Sequence, residues 1–271
     1  LSLLKNFFHK DSSLPLFNAT NNMKQGYVMH IANLQKDIKI KKLLNISDGI
    51  VVVDAKKTRL FFDLTKPNSK LLNKKIHSGT LSFEMSHGNE KIITNCGSPE
   101  KYLGKNQVFF RYSAAHSTIT INNTNISELS EKSGYRRIPQ NIKNSSEELK
   151  DYFVISGSHD GYKKNYGLLV KRTLKISKNG GSLFGIDQIL GLKNKNKYNS
   201  FEIRFHLMPD CTCVMTNNNQ QVIIKSKSGL AWYFKSINNK IKIEESLYIG
   251  NGDYPVSTKQ IILFGNSNKA K

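Results

Sequence analysis

Cysteine is scarce in this chain, with three among 271 residues. Cys96, Cys211 and Cys213 are too few for a disulfide framework, and no Cys-x-x-Cys pair accompanies them. We interpret them as structural residues rather than metal ligands, because free cysteine commonly packs as a small apolar side chain. Proline is also infrequent, with six residues and no proline-rich linker, so one continuous unit is the simplest expectation for most of the chain.

Long apolar runs and the common catalytic motifs are missing as well. No stretch approaches the roughly 18 apolar residues of a spanning helix, so no membrane span is expected. The sequence has no P-loop, no GxGxxG, no HExxH and no GxSxG, which leaves no motif for nucleotide binding, zinc proteolysis or serine hydrolysis. The chain begins with Leu1 rather than Met, and we therefore expect a longer protein.

Positive charge, in contrast, is abundant. The net charge is +21, and lysine far outnumbers arginine. This balance favours a polyanionic partner, either nucleic acid or an acidic polysaccharide. A composition rich in Lys, Asn and Ile explains the charge equally well. The lysines run from Lys5 to Lys271 without clustering beside arginine and aromatic residues, so no nucleic-acid partner is expected.

Short apolar or alternating segments separated by Gly, Asn and Lys turns dominate the chain from about residue 49 onward. They predict an all-β fold, a large antiparallel β-sandwich with a short helical N-terminal segment. Helix is predicted at 1–9 and 24–44, and the polar stretch 123–150 is predicted to be a long surface loop. We expect 1–46 to be a helical linker segment and 47–271 to be the sandwich. The predicted strands are 49–55, 58–64, 80–86, 90–95, 117–122, 152–156, 167–177, 182–190, 201–208, 220–225, 230–235, 241–250 and 260–265.

The segment 201–208 alternates clearly between apolar and polar residues. Arg204 and His206 share one face with Glu202, as in the wall of a substrate-binding groove. A solvated outer face gives the same pattern. The other face is expected in the core and carries Phe201, Ile203, Phe205 and Leu207.

The seven histidines are the most informative polar residues. Three of them lie in the N-terminal segment or in a turn, and we expect these in solvent: His9, His30 and His87. The other four lie in or beside strands, next to small or polar residues. For each of these four, a structural role and a functional role both remain open: His77, His116, His159 and His206.

Five segments, in order, carry a resemblance to a known family. A histidine precedes an LSFEM strand, an IITNCG strand follows, and an RYSAAHST segment opens the next strand. Similar matches continue to the end of the chain. Together they resemble the C-terminal domain of the heparinase II/III-type polysaccharide lyases. The matching segments are 77–97, 111–123, 158–177, 203–210 and 245–263.

The resemblance implies a fold and an activity. Such lyases pair an N-terminal (α/α) helical toroid with an antiparallel sandwich, and they cleave acidic polysaccharides that contain uronic acid by β-elimination. The reaction needs a group that neutralises the uronate carboxylate, a base for the C5 proton and an acid for the leaving oxygen. The resemblance implies that the missing helical domain supplies a Tyr and an Asn, and that the protein works in the periplasm or cell envelope of a bacterium.

The resemblance also assigns roles to individual residues. His77 and His116 match family histidines that act in catalysis or bind a divalent metal, zinc or calcium. Asn95 stands at or beside the third metal position, where the family has Asp, and amide oxygen is a weaker ligand for a transition metal. Lys75 replaces the first His of the family's H-x-H pattern, and Gly79 replaces an Asp that often follows it.

Substrate contacts are expected from two further groups of residues. Arg111 is a candidate for a bidentate pair with a uronate carboxylate, or an ordinary surface arginine. His159, Asp160 and Tyr162 form a compact polar cluster that suits sugar hydroxyls, although Asp-Gly also marks a turn. With Arg204 and His206, these residues complete the candidate binding set. The alternative function is a non-catalytic domain of the same fold that binds anionic glycan in the cell envelope.

Overall fold

The computed structural model describes residues 4–22, 25–34, 41–46, 49–66, 74–100, 103–130, 132–191, 199–216, 219–252 and 254–267. Helix in these ranges is confined to short segments, and none is long and apolar enough to cross a membrane. The α-helices are α1 (Gln25–Asn33) and α2 (Lys163–Tyr166), and the 3-10 helices are Leu4–Phe7, Gly104–Arg111 and Ser113–Ala115.

Antiparallel strands make up most of the described chain, as expected for an all-β fold. They are, in chain order, β1 (Leu43–Asn45), β2 (Ile50–Ala55), β3 (Thr58–Asp63), β4 (Phe83–His87), β5 (Glu90–Thr94), β6 (Ile119–Ile121), β7 (Glu128–Ser130), β8 (Gly134–Arg137), β9 (Ile142–Glu148), β10 (Tyr152–His159), β11 (Leu168–Ser177), β12 (Leu183–Gly191), β13 (Asn199–Leu207), β14 (Thr212–Thr216), β15 (Gln221–Lys225), β16 (Ala231–Lys235), β17 (Lys240–Tyr248) and β18 (Val256–Ser267).

Four sheets arise from these strands. The largest has nine strands in the order β1-β2-β3-β4-β5-β13-β18-β17, with β6 paired to the side of β13. A four-stranded sheet runs β12-β11-β10-β9, a three-stranded sheet runs β14-β15-β16, and β7 pairs with β8. Because β5 and β18 both pair with β13, distant parts of the chain meet at the centre of the large sheet.

The main core lies between the nine-stranded sheet and the four- and three-stranded sheets. Phe62 and Phe83 of the large sheet pack in one cluster with Phe153 of β10 and Val222 of β15. Alternation places them there: every second residue of β10 is buried, because successive side chains of a strand point to opposite faces. Each of the large apolar side chains in this cluster contributes about 1.5–3 kcal/mol through removal of apolar surface from water.

A buried arginine joins the two main layers. Arg172 of β11 pairs with Asp187 of β12, with Nε and Oδ1 2.7 Å apart, and it donates to the backbone carbonyls of Leu81 and Ser117. The guanidinium is thus compensated by a carboxylate and two carbonyls, as a buried charge requires. Arg172 therefore fixes the four-stranded sheet against the segment that leads into β4.

The large sheet is covered on its second face as well, and all six residues of β3 are buried. The N-terminal segment places Phe17 against Val52 and Phe61 in a separate apolar cluster. Phe110 and Ala115, from the 3-10 segment before β6, form a third cluster with Ile249. The chain is therefore more than a two-layer sandwich at this point, and polar side chains on this second face are enclosed.

Most sequence predictions of secondary structure are confirmed, and two are wrong. Every predicted strand is present within a few residues of its predicted bounds. The stretch 123–150 is not one long loop, because it contains β7, β8 and β9. The predicted helix 24–44 is α1 at its start and strand β1 at its end, and its middle, 35–40, lies outside the described residues.

Candidate functional site

Two histidine side chains meet in the covered layer above the large sheet. Nδ1 of His77 lies 3.3 Å from Nε2 of His116, and the ring centroids are 5.3 Å apart in an edge-to-face arrangement. His77 is 5% exposed and His116 is 2% exposed. Of the residues assigned to catalysis or metal binding from the sequence, His77 and His116 are the two that lie in direct contact.

The hydrogen bonds fix the proton positions in this pair. Nδ1 of His116 lies 2.8 Å from the carbonyl oxygen of Tyr112, so Nδ1 must be the protonated nitrogen of His116. Its Nε2 then accepts from Nδ1–H of His77. The remaining nitrogen, Nε2 of His77, carries a lone pair that neither of these two hydrogen bonds uses.

Local backbone holds each ring in place. The backbone N–H of His77 donates to Oδ1 of Asn18 at 3.0 Å, which ties the N-terminal segment to the site. His116 caps the 3-10 helix Ser113–Ala115, and its N–H donates to the carbonyl of Ser113 at 3.1 Å. Gly79 gives the ring its space, because a Cβ built at this position would lie 2.5 Å from Cδ2 of His116. Any larger side chain at position 79 would therefore displace the His116 ring.

Both imidazoles are neutral near pH 7. Burial lowers the pKa of His116 to about 4. Burial also lowers the pKa of His77 well below its usual 6.5, and the positive charges of Arg111 and Lys75 lower it further. A neutral imidazole with an unshared lone pair is the form that accepts a proton.

The third candidate metal ligand, Asn95, hydrogen-bonds with residues other than the two histidines. Its Oδ1 accepts from the N–H of Ser117 at 2.8 Å, and its Nδ2 lies 3.2 Å from Oε1 of Glu84. Among the described residues, no group of three His, Cys, Asp or Glu side chains is placed to hold a metal ion. The residues present therefore do not fit the family's metal centre, and the His77–His116 contact stands as a hydrogen-bonded pair.

His206 is also buried, and it contacts the segment that leads into His116. Its Nε2 donates to the carbonyl of Ala114 at 3.0 Å, and its Nδ1 accepts from the hydroxyl of Ser246 at 2.7 Å. Burial, together with the nearby His116 and Arg204, lowers the pKa of His206 to about 3. Both ring nitrogens are thus engaged, and His206 supports the segment that carries His116 instead of facing a groove.

Arg204 lies farther along the same strand, at a surface cleft of about 850 Å³ that Glu202 and Lys242 also line. It pairs with Glu202 and donates to Oγ1 of Thr120 at 2.9 Å. Nζ of Lys242 lies 2.8 Å from Oε1 of Glu202. The apolar face of 201–208 is in the core as predicted, with Ile203 and Leu207 buried. The predicted polar face is partly a cleft wall, at Arg204, and partly interior, at His206.

The structure does not place the remaining candidates in a common groove. Tyr162 is fully buried, and its hydroxyl lies 3.1 Å from the carbonyl of Thr124. His159 is buried beside it, with Nδ1 accepting from Gly161 N–H at 3.1 Å. Asp160 shapes a turn, because Oδ1 accepts from the N–H of Gln140 at 2.8 Å.

The side chain of Arg111 donates hydrogen bonds to backbone carbonyls. Its Nε donates to Ile76 at 2.9 Å, and one terminal nitrogen donates to Gly134 at 2.7 Å. These bonds fasten the segment before His77 to the hairpin of β7 and β8. In this arrangement Arg111 has a structural role, and its positive charge lowers the pKa of His77. These two effects explain its position without a substrate carboxylate.

A buried charge network near the site was missed at the sequence level. Nε2 of His9 and Nζ of Lys91 lie 3.1 and 2.9 Å from Oε2 of Glu84, and all three side chains are buried. The expectation that His9 lies in solvent is therefore wrong. His87 is half-buried against Thr58, whereas His30 is exposed as expected. Glu84, an acidic residue in the middle of an apolar strand, was the available signal.

Comparisons with known proteins agree with this architecture. A family model described as "Heparinase II/III-like, C-terminal" matches residues 47–271. A heparan sulfate lyase, HepC from Pedobacter heparinus, superposes with a TM-score of 0.77 and 14% identity, over 98% of this chain and 43% of that chain. A crystal structure of heparinase III superposes with a TM-score of 0.69 and 15% identity, over 99% of this chain and 46% of that chain. These likenesses show the fold.

One curated protein is similar in sequence. FtsZ-localized protein C of Caulobacter vibrioides is 25% identical over 187 residues, which is 63% of this chain and 32% of that protein. The chain therefore spans about a third of the curated relative and less than half of each solved structure named above.

Proposed function

The chain belongs to the heparinase II/III-like C-terminal family, and we propose that it is the sandwich part of a lyase acting on anionic polysaccharide that contains uronic acid. The observation that carries the proposal is the oriented imidazole pair. His116 fixes the tautomer of His77, and the neutral Nε2 of His77 is left with its lone pair. This is the state that proton abstraction from C5 of a uronate requires.

The proposed elimination proceeds without a metal step. Nε2 of His77 takes the C5 proton, and the electrons of the C5–H bond form the C4–C5 double bond. The bond from C4 to the glycosidic oxygen breaks, and this oxygen leaves with a proton that we assign to a tyrosine of a helical partner domain. The imidazolium formed at His77 keeps its hydrogen bond to Nε2 of His116, which stabilises the charge.

Lys75 is our candidate for neutralising the uronate carboxylate. Its side chain is exposed, and its charge lies near enough to lower the pKa of His77. An ammonium beside the carboxylate stabilises the negative charge that develops when the C5 proton is removed. The lysine at the position of a family histidine thus has a role in the same reaction. We also propose an (α/α) helical domain as the other wall of the cleft, and a location in the bacterial cell envelope.

A second candidate function is a non-catalytic domain that binds anionic glycan. The engagement of Asn95 with Ser117 and Glu84 favours it, because the family's metal position is closed in this chain. The name of the curated relative, FtsZ-localized protein C, refers to localisation rather than to an enzymatic activity. Both candidates share an acidic polysaccharide as ligand, and they differ in whether a product forms.

The test is turnover by the full-length protein. Heparan sulfate, alginate, hyaluronan and bacterial uronans are incubated with it, and ultraviolet absorbance reports the unsaturated uronate that β-elimination produces. A chelator is added to half of the samples. We expect a rising absorbance that the chelator does not change. Glycan binding without product supports the second candidate, and loss of product with chelator contradicts the metal-free mechanism.

A further inference from the structure

The three-stranded sheet β14-β15-β16 has two faces of different character. One face packs into the main core through alternate residues such as Val222 and Phe234, and the ring centroid of Phe234 lies 4.9 Å from that of Phe205 in the large sheet. The residues between them point the other way, because successive side chains of a strand lie on opposite faces. This outer face takes three positions from each strand, alternating within 212–216, 221–225 and 231–235.

An apolar row crosses the middle of the outer face. The strand register places Val214, Ile223 and Tyr233 side by side. Val214 is 64% exposed and Tyr233 is 66% exposed. Exposed apolar side chains that are grouped and rimmed by polar residues mark interaction sites. Tyr233 is well suited to such a site, because a tyrosine ring offers a large amphipathic contact area and loses little conformational entropy on binding.

Two lysines flank this row on opposite sides. Lys225 lies in the row of Ala231, and Lys235 lies in the row of Gln221. These two rows are four residues apart along each strand, which corresponds to about 13 Å. The lysines therefore present two separated positive charges, one on each side of Tyr233.

The positive charge of the outer face is not compensated. Lys225 and Lys235 are exposed, and neither has an ion-pair partner within the part of the chain that the structure describes. No outer-face position of the three strands carries Asp or Glu. In the cleft beside Arg204, by contrast, Glu202 pairs with both Arg204 and Lys242. The outer face thus has the charge that an anionic ligand requires.

An apolar row between two separated cations matches a polymer that carries anionic groups at intervals. The C–H groups on the face of a sugar ring can stack on Tyr233, while carboxylates or sulfates along the chain pair with the two lysines. A single small anion would reach one lysine and leave the row uncovered. A neutral chain would leave both ammonium groups without a counter-charge.

We propose that the outer face of the three-stranded sheet is an accessory binding site for an acidic polysaccharide. Its strands contribute no residue to the histidine pair, so the site would hold the polymer at a second place on the protein. The choice of ligand rests on the proposed function, because both sites take the same class of polysaccharide.

The first test concerns the tyrosine ring. Calorimetry of the full-length protein measures affinity for long hyaluronan and heparan sulfate oligosaccharides, neutral cellohexaose and single-stranded oligodeoxythymidine. We expect Tyr233→Ala to weaken binding of the acidic oligosaccharides about three- to tenfold, as loss of an aromatic contact does, and Tyr233→Phe to bind as the wild type does. Tyr254→Ala, which removes a tyrosine that is 71% exposed and lies outside this sheet, is the control and should not change the affinity.

The second test separates the outer face from the overall charge. A net charge of +21 attracts polyanions to the whole surface. The double variants Lys225→Gln with Lys235→Gln and Lys163→Gln with Lys164→Gln each remove two exposed positive charges, so they lower the net charge equally. We expect the first double variant to weaken binding of the acidic oligosaccharides about three- to tenfold and the second to leave it unchanged.

Four results would overturn the site. They are unchanged affinity in Tyr233→Ala, equal losses in the two double variants, cellohexaose binding as tight as that of the acidic oligosaccharides, and oligodeoxythymidine affinity that Tyr233→Ala lowers more than the affinity for acidic oligosaccharides. Ultraviolet absorbance of the same samples reports unsaturated uronate. Binding through the outer face without product would refute the lyase and support the accessory site, so the two proposals can fail separately.

Discussion

Nε2 of His116 accepts a hydrogen bond from Nδ1 of His77 across 3.3 Å, and this contact converts two buried histidines into one oriented proton acceptor. The chain of bonds begins at the carbonyl of Tyr112 and ends at the lone pair on Nε2 of His77. Burial disfavours the protonated, charged form of both rings. Both rings are therefore neutral by themselves. The pair gains a proton only when a substrate and its charges are present.

The first prediction concerns the space beside His116. Gly79→Ala places a methyl group 2.5 Å from Cδ2 of His116, so the ring must move away from His77. We expect turnover to fall at least tenfold, with a stability loss of about 1–3 kcal/mol from overpacking. Steady-state kinetics and urea unfolding measure the two effects. Gly26→Ala, where no atom lies within 4 Å of the added carbon, is the control and should leave turnover unchanged.

The second prediction concerns the pH dependence of kcat/KM, whose acid limb reports the base of the free enzyme. The base must be unprotonated, and burial lowers the pKa of His77 well below 6.5. We therefore expect kcat/KM to stay nearly constant as the pH falls from 7.5 to 6.5 and to decline only at lower pH. Lys75→Met removes a nearby positive charge and should move the limb upward. A wild-type limb above pH 6.5 would indicate that another group is the base.

The third prediction concerns the buried network of Glu84. Glu84→Gln leaves the ammonium of Lys91 buried without its carboxylate, and breaking such a pair costs about 3–5 kcal/mol. Urea unfolding at pH 7 measures the loss. Glu245→Gln breaks an exposed ion pair with Lys259, and we expect a change below about 1 kcal/mol. Equal effects of the two substitutions would contradict the assignment of Glu84 as a buried anion.

The same network predicts the direction of acid sensitivity. The pKa of Glu84 is lowered to about 2: its burial opposes this shift, and the charge of Lys91 with the hydrogen bond from His9 outweighs it. A depressed carboxyl pKa stabilises the fold above the unfolded value, near 4.5, and this contribution is lost as the pH falls toward 2. Burial lowers the pKa of His9 to about 4, so its contribution is complete above 6.5 and is lost as the pH falls through 4. Wild-type stability should therefore decrease from pH 6.5 downward.

The strand pattern was readable from the sequence because most strands have one face in the main core. The alternation of 201–208 correctly predicted which side chains pack inward. It did not predict that His206 is enclosed, because the cover comes from Ala114 and Ser246, which are distant in sequence. A period-two pattern describes one strand and carries no information on what lies above its polar face.

The candidate site, too, could be predicted from the sequence only in part. The His77–His116 pair followed from a resemblance that placed both residues, although 39 positions separate them. His9 was misassigned since its partner Glu84 is 75 positions away and nothing local indicates burial. The strands β7–β9 were missed because they are polar and largely exposed, which removes the apolar alternation by which a strand is recognised.

The most direct measurement is the initial rate of unsaturated-uronate formation by full-length His77→Ala beside the wild type and His87→Ala. His87 is a half-buried imidazole away from the pair, so its variant controls for loss of a histidine as such. We expect His77→Ala to reduce the rate about 10²- to 10⁴-fold, as loss of a general base does, and His87→Ala to retain the wild-type rate. A His77→Ala protein that forms product at the wild-type rate would contradict the assignment of His77 as the base.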